Sequence, residues 1–208
     1  MPTKEDGFLD GTELLKVLVS IPDDVPVFIR STITPQMYYL FTQYIKEAFK
    51  KTTRIYYMPE YLSDRTAVED FAKQVLVCTC DHEKDEETFK AIFTGRDYIK
   101  MSSVEAILAK YFHNVFGALK VTYFNCIHDV CENCLRSKAD YSKVLAGMYV
   151  SGHIDKLYTE VPGHDGKLGY GGKCFPKDLK AIERELRYTP FGRLVEPLEK
   201  LNFQFRGS

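Results

Sequence analysis

The sequence predicts an α/β chain: a small parallel sheet layered with helices, followed by an all-helical part built on one long helix. Three observations carry this prediction. Short apolar runs alternate with amphipathic segments of helical period up to about residue 100, the pattern a parallel sheet requires. From Ser102 onward a helical pattern continues with few breaks to about Lys138. The 208 residues are 45% hydrophobic and 27% charged, enough apolar material for one large or two small packed domains.

Residues 12–21 (TELLKVLVSI) have the spacing of a short helix, and residues 25–31 (VPVFIRS) read as a strand ending at Thr32. Pro35 starts the next helix, because its missing N–H would be unpaired in a first turn anyway. That helix runs to about Lys51 with Tyr38, Phe41, Ile45 and Phe49 on its apolar face. RIYYM (54–58) is a second strand, stopped by Pro59, and VLVCT (75–79) a third; residues 83–94 form a helix with an acidic start. Parallel sheets bind ligands beyond the carboxyl ends of their strands. Here those ends carry Ser31-Thr32 and Pro59-Glu60. Three strands alone would leave an exposed sheet edge.

In the second half, Ser102 and Glu105 match a capping box. The helix they open is apolar on most sides, through Ile107, Leu108, Tyr111, Phe112, Val115, Phe116, Leu119, Phe124, Ile127 and Val130. Such a helix is buried by other helices or by a partner subunit. Lys110 and Asn114 are polar exceptions one turn apart, and Gly117 leaves a gap in the same stripe. Lys110 could equally send its ammonium to solvent, with Asn114 capping a neighbour. Residues 140–150 read as another helix, and 159–173 as a loop rich in glycine and charge.

The most informative segment is Gly169–Asp178, GYGGKCFPKD. Pro176 and Asp178 both suit a helix start, and Leu179, Ile182 and Leu186 continue with helical spacing. Cys174 therefore precedes a helix N-terminus and lies between Lys173 and Lys177. Both features favour a thiolate nucleophile over a small buried cysteine.

Several classes are disfavoured. Net charge is −1, with 28 Lys and Arg against 29 Asp and Glu, so there is no electrostatic case for nucleic acid or an anionic membrane. No apolar run approaches the roughly 20 residues of a membrane span, and the polar start does not read as a signal peptide. Six cysteines are too sparse for a secreted disulfide scaffold and suit reduced thiols in a cytoplasm. Cys78-x-Cys80-x-His82 and Cys131-x-x-Cys134 lack a second ligand pair at zinc-ribbon spacing and read as structural; no metal is expected. The acidic run Asp81–Glu87 reads as a solvated helix start, and the aromatic cluster in 111–124 as core or dimer interface.

Four segments in order resemble the UDP-glucose/GDP-mannose dehydrogenase family: Arg30-Ser31-Thr32 after a strand; Pro59-Glu60-Tyr61-Leu62-Ser63-Asp64-Arg65-Thr66-Ala67; Lys110-x-x-x-Asn114; and GYGGKCFPKD, preceded by Val161-Pro162-Gly163. The resemblance implies a division into residues 1–100, the second half of a Rossmann-like NAD-binding domain, and residues 101–208, a central helical dimerisation domain carrying the cysteine loop. It implies two NAD-dependent oxidations of a nucleotide sugar at C6, UDP-glucose above others, through a thiohemiacetal and a thioester on Cys174. Lys110 would stabilise the oxyanion, Asn114 hydrogen-bond the reacting oxygen or a water, and Asp178 share in proton transfer. Glu60 would be the base for thioester hydrolysis, and Thr32 would position water. Tyr61, Leu62 and the loop Asp165, Gly166, Lys167, Leu168, Gly169, Tyr170 and Gly171 would bind the substrate. Ser31, Asp64 and Lys177 match positions near NAD.

The sequence departs from the family at Asp64-Arg65-Thr66, where Glu-Gly-Thr is usual. No G-x-G-x-x-G phosphate turn follows an early strand, and no C-terminal nucleotide-binding domain is recognisable. Two readings follow. One is the catalytic portion of such a dehydrogenase, self-associating as a homodimer, its NAD-binding half supplied by a separate chain or an upstream segment. The other is a non-catalytic companion that dimerises with or modulates an intact enzyme.

Overall fold

A computed structural model describes residues 9–63, 65–134 and 136–207. The chain forms two compact units, Met1–Phe112 and His113–Ser208.

The first unit alternates helices and strands: α1 (Thr12–Ser20), β1 (Val27–Ile29), α2 (Pro35–Ala48), β2 (Ile55–Tyr57), α3 (Ala67–Lys73), β3 (Leu76–Cys78), α4 (Glu83–Ile92), β4 (Tyr98–Lys100) and the first residues of α5 (Ser103–Asp129). The three expected strands are present, each trimmed at its ends, and the structure adds β4 and α3. Both ladders are parallel. β1 pairs with β2 in the register Val27–Ile55, Phe28–Tyr56, Ile29–Tyr57. β3 pairs with β4 in the register Leu76–Tyr98, Val77–Ile99, Cys78–Lys100.

The two ladders meet through a side chain. The Thr79 hydroxyl accepts from Tyr57 N at 3.1 Å and donates to Tyr57 O at 3.1 Å, doing the work of a backbone pair. Ser103 Oγ donates to the same hydroxyl at 3.2 Å. Both residues are buried, so satisfying their hydroxyls avoids a desolvation cost of about 1–3 kcal/mol each.

The core of this unit is Tyr56, Met58, Leu76, Cys78, Cys80 and Phe89, with Phe28, Phe71, Phe93 and Tyr98 packed on it. Cys78 and Cys80 are thus core residues. At its edge Arg54 forks onto buried Asp85, Nε to Oδ2 at 2.5 Å and Nη2 to Oδ1 at 3.0 Å, and Tyr56 adds a 2.7 Å bond. Burial by itself pushes the Asp85 carboxyl up, but these bonds outweigh it and hold the group below its ordinary range.

Helix ends follow local chemistry. Thr34 caps α2 by accepting from Met37 N at 3.2 Å, with Pro35 following. Lys51 Nζ binds the carbonyls of Val19 and Ile21 at 2.6 Å, covering orphan acceptors at the end of α1. At α5 the capping box forms as its spacing predicts: Ser102 N to Glu105 Oε2 at 2.7 Å and Glu105 N to Ser102 Oγ at 3.2 Å.

The second unit is helical. After α5 comes a π-helical turn, Val130–Cys134, where the pattern predicts continued α-helix. Then follow α6 (Tyr141–Tyr149), α7 (Phe175–Leu186) and α8 (Pro190–Arg206). Asp140 caps α6 and Thr189 caps α8. α7 and α8 pack on Leu179, Ala181, Ile182, Val195 and Leu198. A Cβ at Gly192 would overlap the backbone of Leu186, so only glycine permits their tight junction.

Candidate active site

Cys174 is the N-cap residue of α7, as its sequence setting predicts, and its thiol is exposed. α7 begins one residue early, at Phe175, so Pro176 is its second residue and still within the first turn. The carbonyl of Cys174 accepts from Asp178 N at 2.9 Å. Asp178 is 1% exposed, and its Oδ2 accepts from Asn114 Nδ2 at 2.5 Å. Lys177 Nζ forms an ion pair with Asp178 Oδ1 at 2.9 Å, so this buried oxygen faces a cation although it accepts no hydrogen bond. The Lys177 ammonium offsets the cost of burying the carboxylate, and the lone pair of Oδ1 that takes no hydrogen bond suits a water or a substrate hydroxyl. The structure therefore joins three of the expected residues: Cys174 and Asp178 one helical turn apart, and Asn114 on Asp178.

Phe175 secures this arrangement. Its ring lies edge-on to Tyr158 and Tyr170, with centroids at 5.6 and 6.3 Å. It fills the gap at Gly117, where a Cβ would lie 2.6 Å from Cζ of the ring.

The loop before Cys174 is held by residues the sequence pattern does not single out. Gly169 N donates to Asn125 Oδ1 at 2.9 Å. Asn202 of α8 accepts from Tyr170 N at 2.7 Å and donates to Tyr170 O at 3.0 Å. Arg206 donates to the carbonyls of Leu168 and Gly169 and pairs with Asp165. Asp165 Oδ1 also accepts from Lys167 N at 3.1 Å, and Gly166 N donates to Gly163 O at 2.8 Å. Asn125 was findable as a buried polar residue in an apolar helix.

The first unit places its own expected residues. Lys110 is 8% exposed; its Nζ donates to Glu60 O at 2.5 Å and stands 5.1 Å from the centre of the Tyr61 ring. It is buried, not directed to solvent. The Glu60 carboxylate pairs with Arg30 at 2.9 Å. Leu62 follows in the same partly buried segment, Thr32 is half-buried and Ser31 exposed at the end of β1. Asp64 lies outside the described residues.

A dinucleotide pyrophosphate needs backbone amides at a glycine-rich strand-to-helix turn. The four such turns here are 30–34, 58–66, 79–82 and 101–102, and none contains glycine. These turns do not fit the phosphates of NAD. Among the described residues no cluster of His, Cys, Asp and Glu suits a metal ion, and no helix is long and apolar enough to cross a membrane.

Comparison with known proteins shows what the chain is similar to. A profile of the central domain of the UDP-glucose/GDP-mannose dehydrogenase family matches residues 104–202, from the start of α5 into α8. The chain is 29% identical to UDP-glucose 6-dehydrogenase of Rickettsia felis over 194 residues, 87% of this chain and 41% of that protein. It is 28% identical to a UDP-glucose 6-dehydrogenase of Haloferax volcanii, across 97% of this chain and 50% of the relative. It thus spans half or less of the length of these relatives. The fold is similar to that of a UDP-glucose dehydrogenase from Pyrobaculum islandicum, with a TM-score of 0.78 and 23% identity over 97% of this chain and 48% of that one. Residues 104–202, which hold the cysteine loop and the buried Asn114–Asp178 pair, thus match the central domain of the UDP-glucose/GDP-mannose dehydrogenase family, and the chain is similar to members of that family along most of its length.

Proposed function

We propose that the chain carries the covalent-catalysis part of a nucleotide-sugar 6-dehydrogenase, with UDP-glucose as substrate and UDP-glucuronate as product. The observation that supports this most is the exposed Cys174 at the head of α7, with Asp178 one turn on, buried and bonded to Asn114. The Cys174 sulfur would add to the C6 aldehyde carbon, giving a thiohemiacetal. Loss of hydride from C6 would give a thioester, and water would release the carboxylate and the thiol. NAD, as in the family, would supply the hydride acceptor at both oxidations. Asn114 would donate to the reacting oxygen or a water, and Asp178 would share in proton transfer through the oxygen that faces Lys177. Lys110 is chemically suited to stabilise an oxyanion, Glu60 to activate water once freed from Arg30, and Thr32 to orient it. The loop 165–171, with Tyr61 and Leu62, would contact the sugar nucleotide, and Ser31, Asp64 and Lys177 the cofactor. We place residues 1–100 in the NAD-binding domain, residues 101–208 in a dimerising central domain, and the protein in the reducing cytoplasm.

The glycine-free strand-to-helix turns favour one qualification. They support a chain whose cofactor-binding half is contributed by other residues, or a companion that modulates an intact enzyme. Alkylation of Cys174 by iodoacetamide, followed by mass spectrometry, tests the substrate reading. UDP-glucose is expected to slow labelling at Cys174 and leave exposed Cys134 unaffected; no protection by UDP-glucose or GDP-mannose would refute it. With NAD and UDP-glucose, this chain alone is expected to form little or no NADH. Turnover that is lost in Cys174→Ala would overturn the expectation of a missing half.

A further inference from the structure

The substrate loop is bonded into the protein along much of its backbone. Asn202 engages both the N–H and the carbonyl of Tyr170, as a strand partner would. Arg206, one turn further along α8, spans three acceptors: the carbonyls of Leu168 and Gly169, and the Asp165 carboxylate. Residues four apart share a helix face, so the two side chains act on the loop together.

Two glycines of the motif meet these same side chains. A Cβ at Gly169 would overlap the Asn202 amide, and one at Gly171 would overlap the Arg206 guanidinium. Gly169 also has φ +69, which favours glycine independently. Gly171 has no such backbone demand; a Cβ there would have to displace the Arg206 guanidinium from its place on the loop. Glycines in such a loop would ordinarily be ascribed to ligand approach. Here a side chain at either position would also dislodge an intramolecular contact.

We infer that Asn202 and Arg206 are positioning residues: they lock residues 165–171 from α8, and so fix how the loop offers a nucleotide sugar to Cys174. The lock stands on the hydrogen bonds alone; its purpose rests on the proposed substrate. The groups at Leu168, Gly169 and Tyr170 that α8 and Asn125 already satisfy are then scaffold. Sugar-nucleotide contacts would come from the rest of the loop.

Hydrogen exchange on the full chain tests the lock without any ligand. Asn202→Ala and Arg206→Ala should each raise exchange across residues 168–173 by about tenfold, as expected for one or two net hydrogen bonds lost, with the middle of α5 unchanged. Gly171→Ala should do the same by displacing the guanidinium. The double variant Gly171→Ala/Arg206→Ala should be no worse than either single, a coupling that general destabilisation does not produce. Arg206→Lys, which keeps the charge facing Asp165 but lacks the fork, should fall between. Unchanged loop exchange in both alanine variants, or additive effects in the double, would overturn the lock.

The second readout is protection of Cys174 from iodoacetamide by UDP-glucose. It should weaken about fivefold in the two alanine variants, with labelling of Cys134 unmoved. A loosened loop with undiminished protection would overturn the positioning role. If the wild-type chain shows no protection by any nucleotide sugar, the substrate reading fails, and the exchange cycle still decides the lock.

Discussion

Replacing Gly117 by alanine sets two effects of similar size against each other. Glycine inside a helix is about 1 kcal/mol less favourable than alanine, so on an open helix the substitution would stabilise. Here the new Cβ would lie 2.6 Å from Phe175 Cζ and 3.3 Å from Cε1 and Cε2. Carbon contacts relax to about 3.5–4.0 Å, so the ring must withdraw by about 1 Å. Its freedom to do so is small, because Tyr158 and Tyr170 flank it and its backbone begins α7. Overpacking of this kind costs about 1–3 kcal/mol. The expected net is a loss of about 1 kcal/mol, or a few degrees in Tm for a chain of this size. Thermal and urea unfolding followed by circular dichroism measure it. The sign should reverse once the ring is gone: in a Phe175→Leu background, Gly117→Ala should stabilise by about 1 kcal/mol. A Gly117→Ala variant more stable than wild type in both backgrounds would refute the steric argument.

Two further outcomes follow from the structure. The hydrogen bond from Arg206 holds the Asp165 carboxyl below its ordinary 3.8, with burial opposing. A lowered acid stabilises the fold above its unfolded pKa and loses that contribution as pH falls through its folded value. Urea midpoints taken from neutral pH to below 3.8 should therefore fall less steeply in Asp165→Asn than in wild type, and an unaltered slope would contradict the ion pair. Phe116 and Tyr123 on α5 and Val130 at the start of the π-helical turn are exposed at seven-residue spacing, at 63%, 54% and 45%. We expect them to mediate self-association; sedimentation velocity should show the wild type associating and Phe116→Glu dissociating, and a monodisperse wild-type monomer would count against this.

Local signals were legible wherever the physics is local. Thr34-Pro35, Ser102 with Glu105, and Cys174 ahead of Asp178 each mark a helix start, and each helix begins there or within a residue. The gap at Gly117 was visible, but its occupant, Phe175, lies far along the chain and could not be read from periodicity. β4 escaped because its three residues are mostly exposed and show no apolar run. α8 has the same cap-and-proline opening at Thr189-Pro190, but Gly192 and Pro197 within it break the usual helix pattern. The residues that grip the loop were hidden with it, since Asn202 and Arg206 gain meaning only when α8 packs back on α7. For Lys110, burial against Glu60 and Tyr61 removes the solvent-directed alternative that spacing left open.

The Thr79 hydroxyl between the two strand ladders has a consequence for how this sheet can vary. A backbone ladder bond survives almost any substitution, because every residue but proline carries the same donor and acceptor. Where the pairing runs through a hydroxyl, it is written in one codon. Valine at position 79 would keep the shape and delete both bonds to Tyr57, whose N–H would keep its 3.2 Å bond to Ser103 Oγ. The junction of the two ladders is therefore a heritable seam: a line along which a point mutation, and not a rearrangement of the chain, removes the polar link and leaves the shared apolar core to hold the strand pairs together.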